Sequence, residues 1–305
     1  MSGQSTADSV SRLRIVVVTY SPGDFLSEFL ASLPRASTQE VPVTVVDNGS
    51  TDGSVALARN NEAVDLIESG SNRGYGGAAN LGVAEASEEW VLVVNPDIEF
   101  EEGSIDGLLA VADRWPRAGA LGPRIHTADG MLYPSARDLP SLGRGIGHAV
   151  FGWIWPSNPW TASYRRERGT PIEGVVGWLS GACLLVRREA FESVGGFDES
   201  YFMYFEDTDL CERMARAGWD IVYAPSATVV HHGGHATSRN LEAMSKAHHE
   251  SAYRYLSRRY RGTRWVPVRG VLRAGLWGRY QLSRRVRRVV HGAQPTREAS
   301  GTARP

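Results

Sequence analysis

The sequence predicts an α/β protein: a doubly wound, mostly parallel sheet with helices on both faces, followed by a helical basic C-terminal arm. Three observations predict it. Short runs of β-branched residues alternate with helix-like segments, as they do in sheets buried on both faces. Polar residues collect at the ends of those runs, where open α/β sheets bind ligands. Positive charge is concentrated near the C-terminus, with twelve arginines and no Asp or Glu between Ser251 and Gly292.

The elements follow in order. Leu13–Thr19 (LRIVVVT) reads as a strand buried on both faces, and Phe25–Leu33 as a helix with apolar residues at 25, 26, 29, 30 and 33. Val43–Asp47 (VTVVD) is a second strand, closed by the turn Asn48–Gly53, which caps another helix. Val64–Glu68 is a short third strand, Gly76–Ala86 a helix, and Trp90–Val94 a fourth strand ending in Asn95-Pro96-Asp97. After Gly122 the pattern loosens. Regular structure resumes with Gly181–Val186, a helix from Arg187, a charged helix over Phe205–Gly218, strands at Asp220–Tyr223 and Thr228–His231, and a helix over Leu241–Tyr260.

Residues 1–12 and 293–305 read as disordered ends, with no signal peptide, and residues 261–292 as the basic arm. Residues 13–260 form the expected catalytic domain, split near residue 125 into two halves. No apolar run approaches the ~20 residues of a membrane-spanning helix. Cys183 and Cys211, the only cysteines, are far apart and outside any CxxC pattern, which excludes a zinc ribbon or a disulfide scaffold and fits a reducing cytosol. A dinucleotide-binding oxidoreductase is also excluded. The turn after the first strand reads Tyr20-Ser21-Pro22-Gly23-Asp24 instead of G-x-G-x-x-G.

The chemistry-bearing residues are mostly acids. Asp97 ends a buried strand, where a carboxylate can reach a hard divalent cation. Glu206, Asp207 and Asp209 follow the aromatic run Tyr201–Phe205, and partial desolvation suits such a carboxylate to general-base work. The simpler explanation is that these acids favour the N-terminus of the helix behind them.

Five segments then carry a family resemblance: VVVTY (16–20), VVDNGSTDGS (45–54), NRGYGGAANLG (72–82), NPDIEF (95–100) and GGFDESYFMYFEDTDLCERMARAGW (195–219). Over residues 13–260 the chain resembles the family-2 glycosyltransferases of the GT-A fold, in their rhamnosyltransferase branch. Its length and Arg-rich tail resemble the actinobacterial rhamnosyltransferases that use dTDP-rhamnose and N-acetylglucosaminyl-diphospho-polyprenol.

The resemblance implies an inverting, Mg2+- or Mn2+-dependent transfer, with roles for particular residues. Thr19 and Tyr20 line the nucleoside pocket, and Asp47 accepts from the base imide. Asn72, Arg73 and Gly74 lie along the base and diphosphate, with Asn80 holding that loop. Asp97 binds the metal; Asn95 stands where the fuller motif has a second Asp, leaving one carboxylate fewer. His231 is the second metal contact, with His232 the alternative register. Asp207 is the base, with Glu206 as the alternative. Trp178 and Gly181 border the acceptor.

The implied partners are a nucleotide sugar and a polyprenyl-diphosphate-linked amino sugar. A UDP-hexose donor in polysaccharide synthesis and a non-catalytic sugar-nucleotide or glycan-binding protein are the competing readings.

The arm reads as an amphipathic helix. Val268, Val271, Leu272, Leu276, Leu282, Val286, Val289 and Val290 fall on one arc and arginines on the other. That pattern suits an anionic membrane surface on the cytoplasmic side, or packing in a homo-oligomer. Nucleic acid is not expected, since no binding motif accompanies the charge and the other 21 basic residues face 34 acids. Trp153, Trp155 and Trp160 are candidates for admitting a lipid-linked acceptor.

Overall fold

The computed structural model describes residues 11–140, 171–233 and 241–292. Strands β1 (Leu13–Thr19), β2 (Val43–Asp47), β3 (Val64–Glu68) and β4 (Trp90–Val94) coincide with the apolar runs. Helices α1 (Phe25–Ala36), α2 (Ser54–Arg59) and α3 (Gly74–Ala84) alternate with them. The chain continues through β5 (Ile98–Phe100), α4 (Ser104–Arg114) and β6 (Ala118–Thr127). Four two-residue strands follow: β7 (Leu132–Tyr133), β8 (Ala136–Arg137), β9 (Gly174–Val175) and β10 (Trp178–Leu179). Then come β11 (Cys183–Arg187), α5 (Arg188–Ser193), α6 (Glu206–Arg216) and β12 (Asp220–His231).

The main sheet runs β3-β2-β1-β4-β11-β6-β12-β5. The first four strands of that order are mutually parallel, as are β6 and β12, while β11 lies antiparallel between β4 and β6. Alternate residues of each strand enter different cores. Ile15, Val17, Leu92 and Val94 pack with Leu26 and Phe29 of α1 and Leu108 of α4. Val16, Val18, Val91 and Val93 pack with Ala78 and Val83 of α3 and Leu210 and Met214 of α6. Both faces are therefore apolar, which is why the strands read as unbroken β-branched runs. The two cysteines belong to different cores; burial pushes the Cys183 thiol up and that of Cys211 up to about 12, so both remain unreactive protonated thiols.

Three expectations are corrected. The stretch Asp220–His231 is one strand, not two; its register shifts between Ala224 and Thr228, opposite Pro123 and Arg124 of β6. Proline cannot donate to a ladder, and a bulge there absorbs the missing bond. Arg12 does not belong to a disordered start, since it is held by Glu89 at 2.8 Å and Asp113 at 2.6 Å. The boundary between compact units lies at Arg239/Asn240 instead of near residue 260. Helix α7 (Leu241–Arg259) belongs with α8 (Val266–Gly292) because rings on the two helices meet, as His249 does Tyr280 at 5.8 Å.

The arm is thus helical as expected. Trp153, Trp155 and Trp160, the terminal segments 1–10 and 293–305, and the side chains of Leu282 to Val290 lie outside the described residues. Among the described residues no helix is long and apolar enough to cross a membrane.

Candidate active site

The topology brings distant parts of the sequence to one edge. β1 and β2 are paired with Thr19 beside Asp47. Antiparallel pairing of β11 with β4 sets Cys183 opposite Val94, and the Asn95 N–H donates to Ala182 O at 2.9 Å. The segment after β4, carrying Asn95 and Asp97, therefore lies beside Gly181. Antiparallel pairing of β12 with β5 sets His231 opposite Ile98, next to Asp97.

At the first two strand ends, Thr19 is buried and its hydroxyl donates to Asp47 Oδ1 at 3.2 Å. Asp47 also accepts from the N–H groups of Gly49 and Ser50 at 3.1 Å, so its carboxylate shapes the turn that follows it. Tyr20 stands 49% exposed beside this turn, a ring free to face a base.

The loop into α3 is built around Asn48, a residue that the sequence marks as a polar strand end and turn but gives no individual role. Its side-chain amide donates to Asn72 Oδ1 and Gly74 O at 3.1 Å, and its Oδ1 accepts from the Arg73 N–H at 2.8 Å. Asn72 Oδ1 also accepts from the Gly74 N–H at 3.0 Å. One buried side chain thus holds the backbone of Arg73 and Gly74 and the side chain of Asn72. Asn48→Ala leaves several of these groups unpaired; a destabilisation of about 2 kcal/mol is expected. Donor KM should rise more than kcat falls, which steady-state kinetics over a range of donor concentration would show.

Gly74 has φ +77°, and a Cβ there would lie 2.3 Å from the carbonyl oxygen of Phe202. Both the backbone conformation and the contact exclude a side chain. Gly74→Ala should therefore cost about 3 kcal/mol and lower the melting temperature measurably.

Asn80 departs from its expected role. It does not hold the 72–74 loop: its amide donates to Phe197 O at 3.0 Å and accepts from the Phe197 N–H at 2.9 Å. Its position in the middle of α3 faces the turn before α6, so it ties helix to turn.

Asp97 and His231 do come together. His231 Nε2 lies 3.2 Å from Asp97 Oδ1 but outside hydrogen-bonding geometry, so Oδ1 is buried with no donor. Two ligands of a cation in adjacent octahedral positions, each at about 2.1 Å, stand about 3 Å apart. The pair fits a Mg2+ or Mn2+ ion. Among the described residues no group of three or more His, Cys, Asp or Glu makes a metal cage. A two-residue site suits a cation that also takes substrate phosphates. His232 points elsewhere, with Nε2 3.1 Å from Glu99 Oε2, so of the two histidines it is His231 that lies beside Asp97.

Glu206 and Asp207 open α6. The two residues before them, Tyr204 and Phe205, both have φ +68°, a strained conformation for aromatic side chains. Asp209, the third acid, is paired with Arg213 at 2.6 Å and is left to the helix.

Asp207 is differently placed. Its Oδ2 accepts from the Gly181 N–H at 3.0 Å, and its Oδ1 from the Thr208 N–H at 2.6 Å and the Thr208 hydroxyl at 3.2 Å. Burial raises the Asp207 pKa, while these donors pull it back down. Burial raises Glu206 further, with the charge of Asp207 adding to it, and Glu206 Oε2 has no partner. Both carboxyls are thus raised by burial, Glu206 the more, and only Asp207 has donors that offset the effect.

Tyr75, also not singled out from the sequence, joins the two halves. Its hydroxyl donates to Gly181 O at 2.6 Å, and burial raises its pKa, with the charges of Glu206, Asp207 and Asp97 adding to the effect. Glu206, Asp207 and Asp97 thus all act on this one phenol. Gly181 is thereby a hinge between Tyr75 and Asp207. Trp178 is half-buried on β10 and packed against the core beneath α3 and α6.

Comparisons with known proteins show the family and the fold. The family model described as "Glycosyl transferase family 2" matches residues 14–195, and that of "Glycosyl transferase family group 2" matches residues 166–290. The N-acetylglucosaminyl-diphospho-decaprenol L-rhamnosyltransferase of Mycobacterium tuberculosis is 52% identical over 276 residues, covering 87% of this chain and 90% of the relative. Rhamnosyltransferase WbbL of Escherichia coli K12 is 27% identical over 80% of this chain and 92% of its own length. Among solved structures, the mannosyltransferase PcManGT of Pyrobaculum calidifontis, in complex with GDP-Man and Mn2+, superposes with a TM-score of 0.54. It is 18% identical and covers 87% of this chain and 69% of that one, a likeness of fold. The family model over residues 14–195 and the 52% identity to the mycobacterial relative show that this chain belongs to glycosyl transferase family 2, as a glycosyltransferase of the GT-A fold.

Proposed function

We propose that the chain transfers L-rhamnose from dTDP-rhamnose to N-acetylglucosaminyl-diphospho-polyprenol, with inversion at the anomeric carbon, at the inner face of the plasma membrane. The observation that carries the substrate assignment is the 52% identity to the mycobacterial rhamnosyltransferase across 90% of that protein. The site supports the reaction class independently.

Tyr20 and the turn set by Asp47 receive the nucleoside, and the 72–74 loop receives the diphosphate. Arg73 has its backbone fixed by Asn48 while its side chain remains exposed, where its charge meets the phosphates. Asp97 and His231 would hold a divalent cation, Mg2+ or Mn2+, and such a cation would supply positive charge against the departing diphosphate. Asp207, ionised and fixed by Gly181 and Thr208, takes the proton of the acceptor hydroxyl as its oxygen forms the new glycosidic bond. The bond from the anomeric carbon to the diphosphate breaks in the same displacement. No covalent enzyme intermediate is needed.

The test supplies a short-chain N-acetylglucosaminyl-diphospho-lipid with dTDP-rhamnose, UDP-glucose or UDP-galactose and reads product mass. A single added deoxyhexose from dTDP-rhamnose alone supports the proposal. A hexose product from a UDP-sugar, with none from dTDP-rhamnose, would refute it.

A further inference from the structure

The second compact unit carries a groove that catalysis does not use. α7 and α8 are joined through a short 3-10 turn at Thr263–Trp265. Contacts between them step in opposite directions along the chain: Tyr260 with Trp265 at 5.0 Å, Tyr253 with Arg273 at 6.0 Å, and His249 with Tyr280 at 5.8 Å. The two helices are an antiparallel hairpin.

Between them lies a cavity of about 780 Å3, the size range of small-ligand sites. Its lining recurs at three- and four-residue spacing on each helix, so it is one face of α7 against one face of α8. Tyr253, Leu276 and Trp277 give it apolar walls, and Lys246, Arg254 and Arg273 give it positive charge. Glu250 is the one acid in the lining, and Lys246 engages it at 3.7 Å. Trp277 is 65% exposed.

We infer that this groove binds the phosphate headgroup of an anionic bilayer lipid, with Arg254 and Arg273 on the phosphate and Trp277 at the interface. The inference rests on the reading of the arm as a membrane-surface element and names what it recognises there. Charge complementarity selects the occupant. Planar guanidinium groups match phosphate oxygens, and the adjoining aromatic and aliphatic walls match the glycerol and first methylenes of a lipid. An indole with one apolar and one polar edge is the side chain that settles at a headgroup boundary. A soluble anion leaves those walls wet.

The full chain is tested by flotation with phosphatidylcholine vesicles, alone or containing phosphatidylglycerol, and with inorganic phosphate as competitor. Wild type should bind the anionic vesicles selectively. Arg254→Gln/Arg273→Gln should bind them about thirtyfold more weakly, and millimolar phosphate should compete poorly. Trp277→Ala should bind anionic vesicles more weakly while keeping its preference for them over neutral ones. Transfer to a water-soluble acceptor should be unchanged in all variants, which also reports that they fold.

Wild-type binding by the groove variants overturns the inference. If Arg284, Arg285, Arg287 and Arg288 changed to Gln alone abolish binding, the groove is wrong while the membrane reading stands. If wild type binds neither vesicle, both fail, and an increased acceptor KM in the groove variants would reassign the groove to the acceptor diphosphate. Donor turnover with a soluble acceptor is independent of every outcome.

Discussion

Asp207→Asn is expected to lower kcat by about a thousandfold or more, the contribution typical of a positioned general base, with donor affinity nearly unchanged. The amide fills the same space, and its oxygen can still accept from Gly181 or Thr208, so the fold at the start of α6 persists. What disappears is the capacity to take a proton. Isothermal titration with the nucleotide diphosphate, set beside single-turnover transfer, separates the two effects. Substantial transfer by the variant would move the base to Glu206.

The pH dependence has a definite sign. Asp207 must be ionised to act, and burial holds its pKa above the ordinary aspartate value, so the acidic limb of kcat lies higher than an exposed aspartate would place it. Stability depends on pH through Glu206. Its folded pKa is raised well above the ordinary 4.5, so the folded protein keeps a proton that the unfolded chain has lost. Its contribution to stability is present below that ordinary value and is lost as pH rises towards the raised one. Glu206→Gln removes this dependence, and thermal melts across that range should be flatter than for wild type.

Asp97→Asn should be the second most damaging change. In the proposed site Asp97 and His231 hold the cation, and the buried, unpartnered Asp97 Oδ1 is the hard-oxygen ligand of the two. Loss of its charge should lower transfer by about a hundredfold and shift the activating metal concentration upward. His231→Gln should have the smaller effect, since an amide oxygen can still ligate. Chelation of wild type should abolish transfer and re-addition of Mg2+ or Mn2+ restore it. Direct Mn2+ titration by electron paramagnetic resonance, in the presence of nucleotide diphosphate, checks the site without relying on turnover. Equal Mn2+ affinity in Asp97→Asn and wild type would remove Asp97 from the site.

How far these features could be read in the sequence depended on which physical rule dominated locally. β1, β2 and β4 are buried on both faces, and burial left an unbroken apolar signature in each. β6 hid itself because its neighbours sit too close for large side chains. A Cβ at Gly119 would lie 2.7 Å from Trp219, so the strand begins Ala-Gly-Ala and reads as loop. α4 went unread because it follows a three-residue strand and a left-handed Gly103, with no side-chain cap to announce it.

The site divides in the same way. Residues carrying their own chemistry, Asp97, Glu206, Asp207 and His231, stand in motifs that announce them. Asn48 and Tyr75 act through long-range hydrogen bonds to Arg73 and Gly181, and only tertiary structure creates those. Asn80 shows the converse: its motif marks it, yet its partner, Phe197, is 117 positions away.

The central claim is a single displacement at one site, with Asp207 opposite a diphosphate held by the 72–74 loop and the Asp97–His231 pair. Its most direct test is the anomeric configuration of the product made by wild type, read by nuclear magnetic resonance on the purified glycolipid. The account predicts a configuration opposite to that of the donor in the whole of the product. Retention of the donor configuration would require two displacements and a covalent or ion-pair intermediate, and would contradict it.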